Sequence, residues 1–153
     1  MNIHPAAELR NGQHHYAVRV YFEDTDAGGV VYHATYLRFA ERARTEALRD
    51  LGVPHHDMVT QHGVMFMVRR VKVDYLSSAL LDDSLVVITE PLALRAASMD
   101  LRQRIVRIGQ QERNLVVLEV QLACVRLSTS SQDLRVSSST NTVSRERFFR
   151  HSA

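Results

Sequence analysis

The chain has 153 residues, 45% hydrophobic and 24% charged, which suits one domain with an ordinary core and leaves no room for two. Its formal net charge is +2 and Lys72 is its only lysine; the arginine excess suits a small polyanionic ligand or a dispersed solvated surface, and it lacks the basic stripe of a nucleic-acid binder. No apolar run reaches the ~20 residues that span a bilayer, no basic segment followed by an apolar stretch opens the chain, and the lone Cys124 can form no internal disulfide, so a cytoplasmic protein without a transmembrane segment is expected.

Residues 1–13 read as a loose leader. In residues 14–22 (HHYAVRVYF), Tyr16, Val18, Val20 and Phe22 alternate onto one face, a strand pattern. Residues 23–34 carry Asp24, Asp26, Gly28 and Gly29, the chemistry of a turn-rich connection. From Thr35 to Leu51 the period becomes helical: Tyr36, Phe39, Ala40, Ala43, Ala47 and Leu51 recur at three- and four-residue steps. Gly52 and Pro54 follow as stop signals. Arg44 falls inside the apolar arc with Glu41 one turn before it, so a partly buried Glu41–Arg44 pair is expected.

After a polar segment, residues 55–63, the rest reads as strands. Val71, Val73 and Tyr75 alternate with Arg70, Lys72 and Asp74. Residues 82–84 (DDS) form a turn and residues 85–89 a β-branched run. Met99, Leu101 and Ile105 share a face opposite Asp100, Arg102 and Arg104, and residues 109–114 make a hairpin loop. Residues 115–127 are apolar at almost every position, as in a central strand covered on both sides. Cys124 lies in this run and reads as a small buried hydrophobe.

One strand, one long helix and four strands predict an α+β domain in which an antiparallel sheet wraps one central helix. The domain is expected to span residues 14–128. Residues 129–153 are rich in Ser and Thr and are expected to be a flexible tail. One helix cannot cover both faces of the sheet, so a homo-oligomer is expected; a tetramer built as a dimer of dimers is the leading form, with a dimer left open.

Chemistry concentrates in residues 21–44 (YFEDTDAGGVVYHATYLRFAERAR). A carboxylate-bearing glycine loop there leads into a helix start. Glycines admit close approach of a ligand, and helix-start amides together with the dipole can hold a developing oxyanion. Asp24 and Asp26 are also ordinary turn residues, and the residues alone leave both readings open. This string resembles the 4-hydroxybenzoyl-CoA thioesterase-like hotdog family, and within it the branch associated with the Tol–Pal gene cluster. The resemblance covers residues 16–127 in element order.

The resemblance implies an acyl-CoA thioesterase that hydrolyses short-chain or aromatic acyl-CoA, with no separate cofactor because coenzyme A is part of the substrate. It places Asp26 as the catalytic carboxylate and the His33 amide as carbonyl-polarising donor. It places Tyr21 at the acyl pocket, Gly28 and Val30 among the substrate-binding residues, and Arg95 and Ser98 near the nucleotide end of coenzyme A. Whether Asp26 acts as general base or as nucleophile through a mixed anhydride stays open. The competing expectation is a hotdog interaction module docking on acyl carrier protein or phospholipid-synthesis enzymes. A hotdog dehydratase needs a histidine with an acidic partner in a different loop context. The scattered histidines His14, His15, His55, His56 and His62 form no ligand pattern, so no metal is expected.

Overall fold

The computed structural model describes residues 7–52, 54–127 and 135–136. The chain opens with β1 (Ala7–Arg10) and β2 (Gln13–Arg19), an antiparallel hairpin inside the segment expected to be a loose leader. Its two-residue turn explains why: Asn11 (φ 50°) and Gly12 (φ 75°) both adopt left-handed geometry, as the favoured hairpin turn demands. A single 3-10 turn, Phe22–Asp24, precedes helix α1 (His33–Asp50). A second helix, α2 (His55–His62), replaces the expected irregular polar segment. It starts after Pro54 and ends at Gly63, whose φ of 60° provides a left-handed stop.

Strands β3 (Val64–Tyr75), β4 (Ser84–Leu94), β5 (Ser98–Arg107) and β6 (Asn114–Arg126) follow. A two-residue β7 (Arg135–Val136) pairs with β6, within the expected tail; the rest of that tail lies outside the described residues. The sheet order is β1-β2-β4-β5-β6-β3, with every neighbouring pair antiparallel. The architecture is the expected α+β hotdog arrangement, one sheet curled around a long helix.

The register separates the two faces. Leu85 and Val87 on β4, Leu101 and Ile105 on β5, and Val116, Leu118 and Val120 on β6 form one buried cluster with Tyr36, Phe39, Ala40 and Ala43 of α1. Burying Phe39 alone contributes about 1.5–3 kcal/mol. Glu46 of α1 is also buried.

Arg44 resolves differently from its expected pairing. Its Nη1 donates to Oε1 of Gln103 at 2.9 Å, while Glu41 is exposed and acts on it only through its charge. Burial weakens the guanidinium's hold on its proton, and the Glu41 charge offsets part of that. Gln103 is fully buried; its Nε2 donates to the Ala40 carbonyl and to Thr89 Oγ1, both at 2.9 Å. A buried amide satisfied at both ends can sit in a core that would reject an unpaired one.

The outer face is less apolar than residues 115–127 suggested, because Glu119 and Gln121 both point outward. They align with Arg102 and Asp100 of β5 and with Lys72 and Arg70 of β3. Arg102 pairs with Glu90 (3.7 Å) and Glu119 (3.9 Å), beside a groove of about 270 Å³. The uncovered apolar surface lies instead on the helix-facing side of β3, where Val68, Val71 and Tyr75 are exposed. The outer edge of β3 is unpaired among the described residues.

Candidate active site

The segment between β2 and α1 folds back on itself. Asp24, left as a structural residue by the sequence, is buried; its Oδ2 accepts the Tyr21 amide at 2.8 Å and its carbonyl accepts the Tyr32 amide at 2.9 Å. Thr25 and Val31 form an antiparallel bridge. The Asp26 amide donates to the Val30 carbonyl at 2.9 Å, and the Gly29 amide donates to the Asp26 carbonyl at 3.0 Å. Asp26 and Val30 thus face one another across a closed turn, and α1 begins three residues beyond Val30.

The Asp26 carboxylate is exposed in the single chain and held at one oxygen. The Gly28 amide donates to Oδ1 at 2.8 Å, and Oδ2 has no hydrogen-bond partner among the described residues. A Cβ at Gly28 would sit 3.1 Å from Asp26 Oδ1, so the carboxylate would have to give way by a few tenths of an ångström. Gly29 is favoured for a different reason, its φ of 78°.

At the helix start, Tyr32 is the capping residue and makes no side-chain cap. The Thr35 amide donates to the Tyr32 carbonyl at 2.9 Å. The amides of His33 and Ala34 are taken up by no hydrogen bond among the described residues, as helix geometry leaves the first donors open. The His33 ring lies 4.4 Å from the Tyr32 ring centre and 6.3 Å from that of Tyr75. The Tyr75 hydroxyl donates to the His33 carbonyl at 3.0 Å.

A strap, residues 76–83, supports this turn from below. The Val31 amide donates to the Ala79 carbonyl (2.9 Å), the Ala79 amide donates to the Tyr36 hydroxyl (2.9 Å), and Val30 bridges to Leu80. Burial raises the Tyr36 phenol's pKa, opposed by the hydrogen bond from Ala79. The contacts that Tyr75 and Tyr36 make here, and the strap itself, escaped the sequence reading. They belong to separate segments, and the only local signal was the DDS turn.

The structure brings Asp26, Gly28 and Val30 together in one turn, with His33 three residues on at the helix start and Tyr21 at the edge of the same loop. Tyr21 is 61% exposed and its neighbour Phe22 82%, large apolar surface around a carboxylate. Arg95 and Ser98 lie elsewhere. They close the β4–β5 hairpin, with the Arg95 amide on the Ser98 carbonyl at 2.8 Å. The Asp26 turn sits by the start of β4, where the Val20 amide meets the Asp83 carbonyl at 2.9 Å. The length of β4, roughly 3.3 Å per residue, separates the two ends within one chain. The Arg95 guanidinium is engaged by Asp100 at 2.7 Å, which holds the Asp100 carboxyl below its usual range. Among the described residues, no group of three or more His, Cys, Asp or Glu side chains could hold a metal ion. His14 is buried and its Nε2 meets Asp50 Oδ2 at 2.8 Å.

The one-sided carboxylate on a glycine turn and the uncapped helix start are carried by an antiparallel sheet curled around one long helix, the hotdog arrangement. A family model, the thioesterase-like superfamily, matches residues 20–146, and the chain belongs to that family. It is 44% identical over 115 residues to the acyl-CoA thioesterase YbgC of Haemophilus influenzae, covering 73% of this chain and 80% of that one. It is 47% identical over 112 residues to the acyl-CoA thioester hydrolase YbgC of Escherichia coli O6:H1, covering 71% and 78%. Among solved structures, a probable thioesterase from Bartonella henselae superposes with a TM-score of 0.70 at 32% identity, covering 82% of this chain and 98% of that one.

Proposed function

We propose that Asp26 and the amide at the start of α1 are the chemical centre of this chain's reaction, the hydrolysis of an acyl-CoA thioester to free acid and coenzyme A. The thioester hydrolase activity follows from the family and from relatives named as acyl-CoA thioesterases. The observation that supports the residue assignment is the one-sided anchoring of Asp26. Gly28 fixes Oδ1 and leaves Oδ2 for a water proton or a carbonyl carbon. An acyl carbonyl oxygen received by the His33 amide gains from the helix dipole and from a donor that needs no reorganisation. Losing such a donor costs ~10²–10³ in rate.

In the general-base route Asp26 takes a proton from water as the hydroxyl attacks the carbonyl, and the thiolate of coenzyme A leaves. In the nucleophilic route Asp26 itself attacks, and water then cleaves the mixed anhydride. Tyr21, Gly28 and Val30 line the acyl side in either case. The substrates are short-chain or aromatic acyl-CoAs, and the protein works in the cytoplasm, in the branch linked to the Tol–Pal cluster. A homo-oligomer covers the helix-facing side of β3, and it is also the means by which Arg95 and Ser98 of another copy would meet the nucleotide.

The test is a steady-state screen over acyl-CoAs of graded length and aromaticity, with Asp26→Asn alongside. A general base contributes about 10²–10⁴ in rate, so Asp26→Asn should lose at least that order. A folded Asp26→Asn protein with near wild-type turnover removes Asp26 from the mechanism.

A further inference from the structure

The hydrogen bonds of residues 21–32 close within that segment or enter the first turn of α1, except those made to the strap at Ala79 and Leu80. The strap is therefore the turn's outside anchor among the described residues, and what holds the strap holds Asp26. One ion pair does so. Asp83 Oδ2 accepts both the Arg107 Nε–H and the Leu80 amide at 2.9 Å. The second arm of the Arg107 guanidinium donates to the Ser78 carbonyl at 2.8 Å. The Asp83 carbonyl accepts the Val20 amide at 2.9 Å, and the Asp82 amide returns to the Val20 carbonyl at 3.1 Å. Arg107 thus ties the end of β5 to Ser78 and Asp83 of the strap, and Asp83 ties the strap to Val20 just after β2.

Most surface ion pairs contribute little. This one differs in geometry. Its partners are 24% and 23% exposed, and the planar guanidinium spans a carboxylate and a carbonyl in a single rigid fork. Neither residue belongs to the Asp26 turn, and nothing in the arrangement requires either to touch substrate.

We propose that Asp83 and Arg107 are a positioning pair for thioester hydrolysis, holding the 78–80 strap so that the Asp26 turn keeps its place against the entrance of α1. This rests on the assignment of Asp26 made above. The path runs from Arg107 to Ser78 and Asp83, through Ala79 and Leu80, to Val31 and Val30, and from the Val30 carbonyl to the Asp26 amide. Loosening any link lets the carboxylate drift relative to the helix-start amides. Substrate contacts stay intact, so the loss falls on turnover rather than on binding.

The experiment compares Arg107→Gln and Asp83→Asn with Arg113→Gln, an exposed arginine in the β5–β6 loop that controls for lost charge. Each is assayed well below its own unfolding temperature. A displacement near 1 Å costs about a hundredfold, so kcat should fall roughly ten- to a hundredfold in both pair variants. KM should stay within about threefold, and Arg113→Gln should match the wild type. Amide hydrogen exchange provides a second reading: the Val31 and Asp26 amides should exchange faster in the pair variants than in Arg113→Gln. Folded pair variants with wild-type kcat, or with wild-type exchange at Val31 and Asp26, overturn the proposal. Asp26→Asn, run in parallel, separates the two assignments. If it stays active the site assignment fails, while exchange at Val31 and Asp26 still decides whether the pair holds the turn.

Discussion

Replacing Gln103 by leucine tests whether the amide buried beneath α1 serves chiefly to satisfy Arg44. The substitution nearly conserves volume and removes three hydrogen bonds of 2.9 Å each. The Ala40 carbonyl keeps its helical partner, the amide four residues on, and the Thr89 hydroxyl can rotate. The Arg44 guanidinium is the group left stranded. Hydrogen bonds to charged groups contribute about 1.5–3 kcal/mol, and a buried group without its partner costs its desolvation as well. Leucine returns roughly 1 kcal/mol through better burial, and half-buried Arg44 can recover some water by swinging outward. The net loss should be about 2 kcal/mol, or roughly 4–8 °C in melting temperature for a chain of this size. Urea unfolding at fixed protein concentration, followed by circular dichroism, reads it directly. The double variant Gln103→Leu/Arg44→Leu should recover at least about 1 kcal/mol of that loss, because no charge is then left behind. A single variant within about 0.5 kcal/mol of wild type, or a double variant whose losses simply add, refutes the reasoning.

Gly28→Ala should lower kcat severalfold without unfolding the protein, since its new Cβ meets Asp26 Oδ1 at 3.1 Å; an unchanged kcat would show that Asp26 needs no such clearance. Tyr36→Phe strands the fully buried Ala79 amide and should cost about 1–3 kcal/mol, measured by the same unfolding curves. The Asp100 carboxyl is depressed by Arg95. Its stabilising contribution is therefore complete above the ordinary carboxylate range and is lost as pH falls through the lower folded value. Asp100→Asn should lose that contribution at neutral pH and show a shallower acid limb in a stability-versus-pH series. Both partners are exposed enough for the amplitude to be small, and an acid limb of undiminished slope would remove Asp100 from it.

The sequence made visible what repeats or clusters locally. The helical period from Tyr36 to Ala47 announced α1, and the alternations at Val71–Tyr75 and Met99–Ile105 announced strands. The loop string from Asp24 to His33 marked the candidate site because its carboxylates, glycines and helix start are neighbours in the chain. What stayed hidden depends on distant partners. Gln103 occupies an apolar face that is acceptable only with Arg44 and Ala40, 59 and 63 residues away, and Thr89 as its partners. Arg107 looks like a strand-end charge until its fork meets Ser78 and Asp83. Helix α2 was missed because its polar residues advertise a loop, while Met58, the one fully buried side chain among those described in it, is too little for a periodic signal. The β1 strand was missed for a similar reason: four residues make too short a stretch for alternation to register, and the Asn11–Gly12 turn was read as part of a leader.

The two margins of the sheet have unequal prospects. On one side the chain doubles back through Asn11 and Gly12 and ends in a four-residue strand, too brief to recruit much. On the other, twelve residues of β3 run along the rim with no further strand beside them among the described residues. A second copy laid along that longer border would leave each body only its brief margin to offer, so edge-to-edge growth would end at a pair.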